Sequence, residues 1–384
     1  MTCVSKTIAI YGKPDLILLE CDMAEKASGI RDAVKDRIKY IMEQVKKDCA
    51  RELEIDSKIP KIEENFRKLI IFDDIIAYRY LRSRLEKLDE ERERLELRKW
   101  LNQLKLLMNP FGEEEPSIVA VNKAEKVAKR IIIVGDLHGD YESLSKILYY
   151  YDKIKQDALL IFLGDYVDRG PNQLKCLIGV LSLKEIQPDK VLLLRGNHEC
   201  VSLNLKYGFY DEIIEKYGKK IASVFYRRYI LEIYKALPYM ALIEYYGHRI
   251  LCVHGGPPLI FLEGKPYLPR LEELSYLPRE VEPRDPIVLQ ILWNDVRENI
   301  DDYAPSLRSE GIYYIGRKLL RQFLDYNRLS ILVRGHEPVP RGYKVILNGK
   351  VFTIFTCRYY NVSPKALVIE YVDGKLKFRV LRLD

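Results

Sequence analysis

The chain has 384 residues, of which 48% are hydrophobic and 31% are charged, and its formal net charge is +7. This length fits one large domain with an extension or two domains, and this composition excludes a disordered chain. Basic and acidic residues are interspersed, so neither a nucleic-acid arm nor a nucleic-acid partner is expected. Seven cysteines without C-x-x-C spacing, no secretory signal and no long apolar run predict a cytoplasmic protein without membrane contact.

The first 125 residues differ in pattern from the rest. The segment "KTIAIYGKPDLILLE" predicts two strands around a turn, and two charged helical stretches follow, at about 27–52 and 62–108. The second stretch forms one or two helices and carries one apolar stripe, made of Leu81, Leu85, Leu88 and Leu95. "NPFGEEEP" ends it as a linker. The region is either a helical hairpin packed on the neighbouring domain or a coiled-coil-like arm for a partner or for self-association.

From Arg130 onward, strand and helix patterns alternate, as in "IIIVGDLHGD" and "YESLSKILYYY" or "ALLIFLGDYVDRG" and "PNQLKCLIGVLSL". This alternation predicts an α/β fold with parallel strands and crossover helices. "YMALIEYYGHRILCVHGG" predicts two strands around a Gly-His turn. The C-terminal "VDGK", with alternating residues on both sides, predicts a hairpin and therefore an antiparallel portion of the sheet.

Several predicted strands end in Asp, Asn or His residues that lie beside a glycine. Because the carboxyl ends of strands in an α/β sheet meet at one crevice, we expect these side chains to converge. Any one of them alone could equally be a turn residue or a helix cap. The residues are Asp136, His138, Asp165, Asn197, His254 and His336.

This mixed nitrogen and oxygen set suits two divalent metal ions, with Mn, Fe or Zn favoured over Mg or Ca. Asp165 is the natural bridge between them, because it is the lone carboxylate of its motif. His198 is left over and could act as a general acid, with Asp168 orienting it. Arg169 offers a forked donor for a phosphoryl group.

The motifs "GDLHGD", "GDYVDRG", "LRGNHE", "YGFYDE", "HGG" and "RGHEPV" resemble, in order and spacing, those of the PPP family of serine/threonine protein phosphatases. The resemblance covers about residues 130–375. It implies a metallophosphoesterase fold, a central β-sandwich of mixed sheets flanked by helices, over 126–384, with residues 1–125 as a mainly helical extension. It also implies two metal ions, Mn²⁺ first with Fe or Zn as alternatives, and direct attack of a metal-bound hydroxide without a phosphoenzyme. Since high Lys, Arg and Glu content is typical of thermophiles, we expect an archaeal source.

The same resemblance implies roles for the remaining residues. His198 is the general acid, Asp168 its partner, and Arg169 and Arg308 bind the phosphate. Arg308 departs from the family pattern, because Ser and Glu follow it instead of Gly and it is shifted by one residue. Tyr360, in "TCRYY", aligns with the family's active-site tyrosine, with Tyr359 as a rival.

The leading hypothesis is a phosphatase acting on phosphoserine and phosphothreonine in proteins, with phosphotyrosine as a further substrate. One alternative is a hydrolase of nucleotide polyphosphates, such as diadenosine tetraphosphate, or of phosphodiesters, which uses the same chemistry. Another is a scaffold whose helical N-terminus binds a protein partner while the second domain is catalytically silent. The helices could also regulate the enzyme by covering its cleft.

Overall fold

The computed structural model describes the backbone of residues 5–8, 16–20, 29–69, 75–108, 117–154 and 156–384. Side chains are described for 29–61, 82–108, 117–154 and 156–384. The predicted linker at 109–116 lies outside the described residues, as does the turn between the first two strands.

The helices of the described part of the chain divide into an N-terminal group of three and a group that follows the strands. The N-terminal group is α1 (Ile30–Leu69), α2 (Ile75–Glu93) and α3 (Glu96–Met108). The others are α4 (Tyr141–Lys153), α5 (Gln173–Ile186), α6 (Val201–Tyr207), α7 (Phe209–Tyr217), α8 (Lys219–Phe225), α9 (Leu231–Ala236), α10 (Pro286–Trp293) and α11 (Arg317–Tyr326). A π-helical turn at Tyr226–Ile230 joins α8 to α9.

The larger of the two main sheets has seven strands in the order β1-β2-β18-β17-β4-β5-β6. The three strands at one end of this order, β4 to β6, are parallel, and α4 and α5 are the crossovers, as the alternating pattern predicted. The strands are β1 (Ser5–Ile8), β2 (Leu16–Glu20), β4 (Arg130–Val134), β5 (Leu159–Phe162), β6 (Val191–Leu193), β17 (Lys365–Val372) and β18 (Lys375–Arg382).

The second main sheet has six strands in the order β15-β16-β14-β8-β7-β3. It mixes parallel pairs, such as β14 with β8, and antiparallel pairs, such as β7 with β8. Its strands are β3 (Ile118–Val121), β7 (Met240–Tyr245), β8 (His248–Val253), β14 (Ile331–Arg334), β15 (Tyr343–Ile346) and β16 (Val351–Ile354). Two small sheets contain β9 (Ile260–Leu262), β10 (Lys265–Tyr267), β11 (Asp295–Arg297), β12 (Tyr303–Pro305) and β13 (Tyr313–Gly316).

The two main sheets pack face to face, and helices cover both outer faces. Side chains alternate along β4: Ile131 and Ile133 join the core between the sheets, while Ile132 and Val134 face the core that holds α1, α3, α4 and α5. On the other side, α10 and α11 share a third core with the outer face of the second sheet. The predicted β-sandwich flanked by helices is therefore confirmed.

The N-terminal helices differ in their boundaries from the prediction. We predicted a break between 52 and 62, but α1 continues through Pro60 to Leu69. Glu52 accepts bonds from Arg98 and Arg228, so its charge is satisfied inside the packed helices rather than at a helix end. Of the predicted stripe, Leu88 is buried, Leu85 and Leu95 are half-buried, and the side chain of Leu81 lies outside the described residues.

Both predicted hairpins form. β7 and β8 turn at Tyr246 and Gly247, and β17 and β18 turn at Asp373 and Gly374. All four turn residues have positive φ, which is the conformation that a two-residue hairpin turn requires. The C-terminal hairpin places β17 beside β4 and so completes the antiparallel portion of the first sheet.

Candidate active site

The predicted site residues follow the carboxyl ends of five strands in the two main sheets. Asp136 and His138 follow β4, Asp165 follows β5, and Asn197 and His198 follow β6. From the second sheet, His254 follows β8 and His336 follows β14. All seven side chains are at most 6% exposed. The structure brings them together at one edge of the sandwich, as the strand-end argument predicted.

Asp165 lies between two groups of imidazoles. Its Oδ2 atom is 3.5 Å from Nε2 of His138 and 3.4 Å from Nε2 of His254. Asp136 adds a second carboxylate, with Oδ2 3.9 Å from Nε2 of His138. This central position is the one that we predicted for a bridging carboxylate.

Asn197 joins the second group. Its Oδ1 atom lies 2.8 Å from Nε2 of His254 and 2.9 Å from Nδ1 of His336. Two sets of donor atoms, each within 4.8 Å of one another, could hold a metal ion: His138, Asp165 and His198, and Asp165, His254 and His336. Asp165 belongs to both sets, so two ions could share it.

Backbone carbonyls orient two of the imidazoles. Nδ1 of His138 is 2.8 Å from the carbonyl oxygen of Val167, and Nδ1 of His254 is 3.0 Å from that of Leu163. Each Nδ1–H therefore donates outward, and each Nε2 atom faces Asp165. Outer partners of this kind fix the ring orientation of metal-binding histidines.

Two buried polar atoms at the cluster lack a hydrogen-bond partner within the described chain. They are Oδ2 of Asp136 and Nε2 of His336. Leaving a buried carboxylate oxygen unpaired is costly, and metal coordination removes that cost at Asp136, whereas the ring nitrogen of His336 that faces Asn197 is Nδ1. Burial lowers the pKa of His336 and lowers that of His138 to about 3, which keeps both rings neutral, the form that binds metals. The residues present therefore fit two divalent cations.

Asp165 stays ionised although it is buried. Burial raises its pKa, but the charges of His254 and His198 outweigh burial and hold the pKa well below its usual value. At Asp136, burial and the charge of Asp165 outweigh the charge of His254 and raise the pKa to about 6. Without cations, the cluster thus concentrates its negative charge on the shared carboxylate.

Glu199 ties together the loops that carry the cluster. Its two carboxylate oxygens accept the backbone N–H groups of Asp165, Tyr166 and Gly196, at 2.8 to 2.9 Å. Glu199 lies in the turn after β6. The structure shows that it also holds the turn after β5, so one side chain sets the spacing of two strand ends.

The same loops touch through glycine. Gly164 has φ +104°, and a Cβ atom there would overlap the backbone of Gly196. A Cβ atom on Gly196 would in turn overlap Asp165. Only glycine permits this close approach, which explains the glycines beside the predicted ligands.

His198 and Asp168 form a buried pair beside the cluster. Nδ1 of His198 lies 2.7 Å from Oδ2 of Asp168, and the backbone N–H of His198 donates to Oδ1 of Asp165. Burial lowers the pKa of His198, but the charges of Asp165 and Asp168 outweigh it and leave the pKa raised. The imidazole is therefore biased toward its protonated form, as a proton donor requires.

Sequence reasoning missed Asn204. Its amide donates to Oδ2 of Asp168 at 3.1 Å and to the carbonyl oxygen of His198 at 2.8 Å. Its Oδ1 accepts the hydroxyl groups of Tyr226 and Tyr234. Asn204 is fully buried and clamps both members of the pair. Nothing in its local sequence distinguishes it from an ordinary helix residue.

Arg169 is stacked between aromatic rings. Its guanidinium carbon is 3.7 Å from the ring centroid of Tyr207 and 5.7 Å from that of Tyr360. The backbone N–H of Arg169 donates to the backbone carbonyl of Tyr207. Tyr207 was not singled out from the sequence, because a tyrosine in a helical segment usually serves only for packing. The stack restricts Arg169 to one orientation at the edge of the cluster.

Tyr360 rather than Tyr359 lies against the cluster. The Tyr360 ring is 5.4 Å from the His138 ring, whereas Tyr359 is 44% exposed. The loop is held by Arg358, whose Nε donates to Asp140 at 3.0 Å.

Arg308 reaches the opposite side of the cluster. Its Nε atom donates to Oδ2 of Asp295 at 3.1 Å, and the buried Asp295 also pairs with Arg334. The Arg308 charge is close enough to His336 to contribute to the lowered pKa of that ring. The shift of Arg308 along the sequence therefore does not remove it from the site. Asp295 was not singled out from the sequence, because a single Asp after a helix has many ordinary roles.

Backbone strain is concentrated at the same place. Five of the predicted site residues have a positive φ although none is glycine. Such conformations cost about 1–3 kcal/mol each and persist where the surroundings hold them. The residues are His138, Asp165, Asp168, Arg169 and His336.

Comparison with known proteins agrees with this geometry. The family model described as calcineurin-like phosphoesterase matches residues 129–340. The chain is 32% identical over 250 residues to the serine/threonine-protein phosphatase 6 catalytic subunit of Caenorhabditis elegans. The aligned segment covers 65% of this chain and 71% of the relative.

A solved structure shares the fold. It is a protein serine/threonine phosphatase from Saccharomyces cerevisiae with similarity to human phosphatase PP5, at a TM-score of 0.61 and 24% identity. The match covers 74% of this chain and 89% of that one. From the matched family model, the curated relative and the converging strand ends, the chain belongs to the calcineurin-like phosphoesterase family.

Proposed function

We propose that this protein is a metal-dependent protein phosphatase that hydrolyses phosphoserine and phosphothreonine. The observation that carries the proposal is the position of Asp165 between two imidazole groups, with the His198–Asp168 pair beside them. The relationship to a serine/threonine-protein phosphatase catalytic subunit supports the choice of substrate.

In this proposal, two divalent cations are held by six side chains, and Mn²⁺ is our first expectation, ahead of Fe or Zn. One cation would bind Asp136, His138 and Asp165, and the other would bind Asp165, Asn197, His254 and His336. When bound, such a pair lowers the pKa of a water molecule and neutralises phosphoryl oxygens. The mixed imidazole, carboxylate and amide set is what supports this assignment.

The chain's own groups then bind the phosphoryl group and supply the proton. Arg169 and Arg308 are proposed to bind the phosphoryl oxygens from opposite sides of the cluster. His198 donates a proton to the oxygen of the leaving serine or threonine, while Asp168 holds the ring and stabilises its charged form. Tyr360 packs against His138 and Arg169 and limits access of water to that side.

The N-terminal region has a separate proposed role. We propose the division into residues 1–125 and 126–384, with the helices available for a protein partner or for regulation of the cleft. The ion pairs of Glu52 and Asp56 with Arg228 support a fixed position on the catalytic part. Among the described residues, no helix is long and apolar enough to cross a membrane. A cytoplasmic location and an archaeal source stay proposals based on composition.

Phosphate release from a phosphothreonine peptide tests the function. Purified protein is assayed after EDTA treatment and again after addition of Mn²⁺, with diadenosine tetraphosphate and a phosphotyrosine peptide in parallel. Metal-dependent release from the phosphothreonine peptide supports the proposal. Cleavage of the dinucleotide alone would contradict it in favour of a nucleotide hydrolase. Binding of two metals without any hydrolysis would favour a scaffold or a cleft blocked by the N-terminal helices.

A further inference from the structure

A groove of about 620 Å³ lies between α1, α5 and α7, apart from the residues of the proposed active site. Lysines from all three helices line it, namely Lys35 and Lys39 of α1, Lys175 of α5 and Lys216 of α7. Glu43 is the single carboxylate among the lining residues. The volume is within the range of ligand-binding clefts, and the excess of ammonium groups favours an anionic occupant.

The floor of the groove is apolar. Ile38 is 3% exposed and belongs to the core that joins α1 to the first sheet. Met42 and Tyr217 are half-buried beside it, and the Tyr217 hydroxyl donates to the Met42 carbonyl at 3.1 Å. An occupant that fills this groove therefore needs an apolar side chain as well as negative charge. A free phosphate ion has the charge but no apolar group.

Two of the lysines are available for a new partner without loss of an existing ion pair. Lys39 is exposed and has no carboxylate within ion-pair distance among the described residues. The Lys175 ammonium lies 3.9 Å from the centroid of the Tyr141 ring, a contact that leaves its outer face open to solvent.

The other two lysines have weak pairs. Lys35 is 3.5 Å from Asp32, and both side chains are 47% exposed. Lys216 is 3.6 Å from Glu212, whose oxygens also accept backbone N–H groups of α5. The Lys35 pair is exposed and therefore weak, and the Lys216 ammonium is itself exposed, so an incoming carboxylate can share either ammonium group.

A short chain of hydrogen bonds links the groove to the proposed active site. Glu212, next to Lys216 on α7, accepts the N–H of Gln173 at 2.8 Å. The side-chain oxygen of Gln173 accepts the N–H of Asp168 at 2.8 Å, and Asp168 holds His198. The start of α5 is thus one border of the site, and Lys175 lies two residues further along the same helix.

We propose that this groove binds an acidic segment, carrying at least one apolar side chain, that lies near the phosphorylated residue of a protein substrate. This inference rests on the proposed phosphatase function. It assigns the N-terminal helix α1 to substrate selection, because α1 supplies half of the lysines and part of the apolar floor. Complementary charge raises the rate of encounter and lowers KM for such substrates.

The experiment compares two phosphothreonine peptides with the full-length, Mn²⁺-loaded protein. One peptide has a tail of glutamates and leucines, and in the other tail glutamines replace the glutamates. We expect KM for the acidic peptide to be roughly tenfold lower at low salt, with a smaller difference at high salt. In the double variant Lys39→Glu/Lys175→Glu, we expect the two peptides to have similar KM values.

The control is the double variant Lys47→Glu/Lys375→Glu, which changes the net charge equally at two exposed positions outside the groove. It should retain most of the preference for the acidic tail, because only general attraction is reduced. Equal KM values for both peptides with the unmodified protein would overturn the inference and leave the phosphatase function intact. An equal loss in both double variants would also overturn it. Failure to hydrolyse either peptide would contradict the phosphatase function itself, and the inference would fall with it.

Discussion

Oδ2 of Asp168 lies 2.7 Å from Nδ1 of His198, inside a pocket where Asp168 is fully buried. The carboxylate accepts the proton on Nδ1, which leaves Nε2 as the nitrogen available for proton transfer. It also stabilises the charged imidazole. His198 is not needed to complete either proposed ligand set, although its ring is near His138. The pair is thus placed to serve proton transfer beside a metal cluster.

Replacement of His198 by Asn should separate catalysis from metal binding. We expect turnover of a phosphothreonine peptide to fall by roughly 10²–10⁴, because a positioned general acid contributes about that much. Metal content, measured by mass spectrometry, should remain at two ions per chain. Loss of metal together with activity would instead assign His198 to the ligands, a possibility that its membership of one donor set raises.

We expect Asn204 to affect catalysis indirectly, through its hydrogen bonds to Asp168 and His198. In Asn204→Leu, the Asp168 oxygen, the His198 carbonyl and two tyrosine hydroxyls each lose a partner. We expect kcat to fall by about tenfold or more and the protein to lose about 1–3 kcal/mol of stability.

Asn204→Asp is the matched variant. Aspartate has the size of asparagine but places a second carboxylate against Asp168. Because this added negative charge holds the His198 proton more tightly, the loss of kcat on the basic side of the pH profile should move to higher pH. An unchanged profile in Asn204→Asp would show that the residue is only structural.

The stack of Arg169 on Tyr207 should matter for phosphate binding. Cation–π contacts contribute about 0.5–2 kcal/mol, so Tyr207→Leu should lower kcat/KM by roughly 2–30-fold. Tyr276→Leu is the control, because Tyr276 is 72% exposed. Identical kinetics for the two variants would mean that the stack does not orient Arg169.

Glu52 should anchor the N-terminal helices. It is fully buried, and it pairs with Arg98 and Arg228 and accepts the hydroxyl of Tyr229. Glu52→Ala leaves these groups without their shared partner. Since both arginines are partly exposed, we expect a loss of about 2–3 kcal/mol in urea unfolding, below the range for fully buried pairs.

A control for that loss is Glu90→Ala, which removes an exposed pair with Arg94 and should change stability by less than about 0.5 kcal/mol. Similar effects of the two substitutions would show that the N-terminal helices are not held by Glu52.

Much of this site could be predicted because each ligand follows an apolar strand. The strand ends fix where Asp136, Asp165 and His254 meet, so spacing in the sequence translates directly into proximity. The alternation of strands and helices predicted the parallel strands and their crossover helices, and the resemblance to the phosphatase family implied the sandwich. Neither inference needed knowledge of contacts between distant side chains.

The rest depends on contacts that local sequence does not show. Asn204 and Tyr207 lie on a short helix whose pattern indicates only packing, and the partners Asp168 and Arg169 come from a loop 36 to 38 residues earlier. The end of α1 was predicted too early because the partners of the buried Glu52 belong to α3 and to the π-helical turn. Such networks are set by tertiary structure, which overrides local helix signals.

The most direct test of the account is a Mn²⁺ titration of metal-free protein, with phosphate release from a phosphothreonine peptide measured at each metal content. Asp165→Asn is titrated in parallel, because Asp165 is the one side chain shared by both proposed ligand sets. If two ions share Asp165 as proposed, activity should reach its maximum at two bound ions per chain. Asp165→Asn should bind both ions weakly and be nearly inactive. Full activity without bound metal, or two tightly bound ions in an active Asp165→Asn, would contradict it.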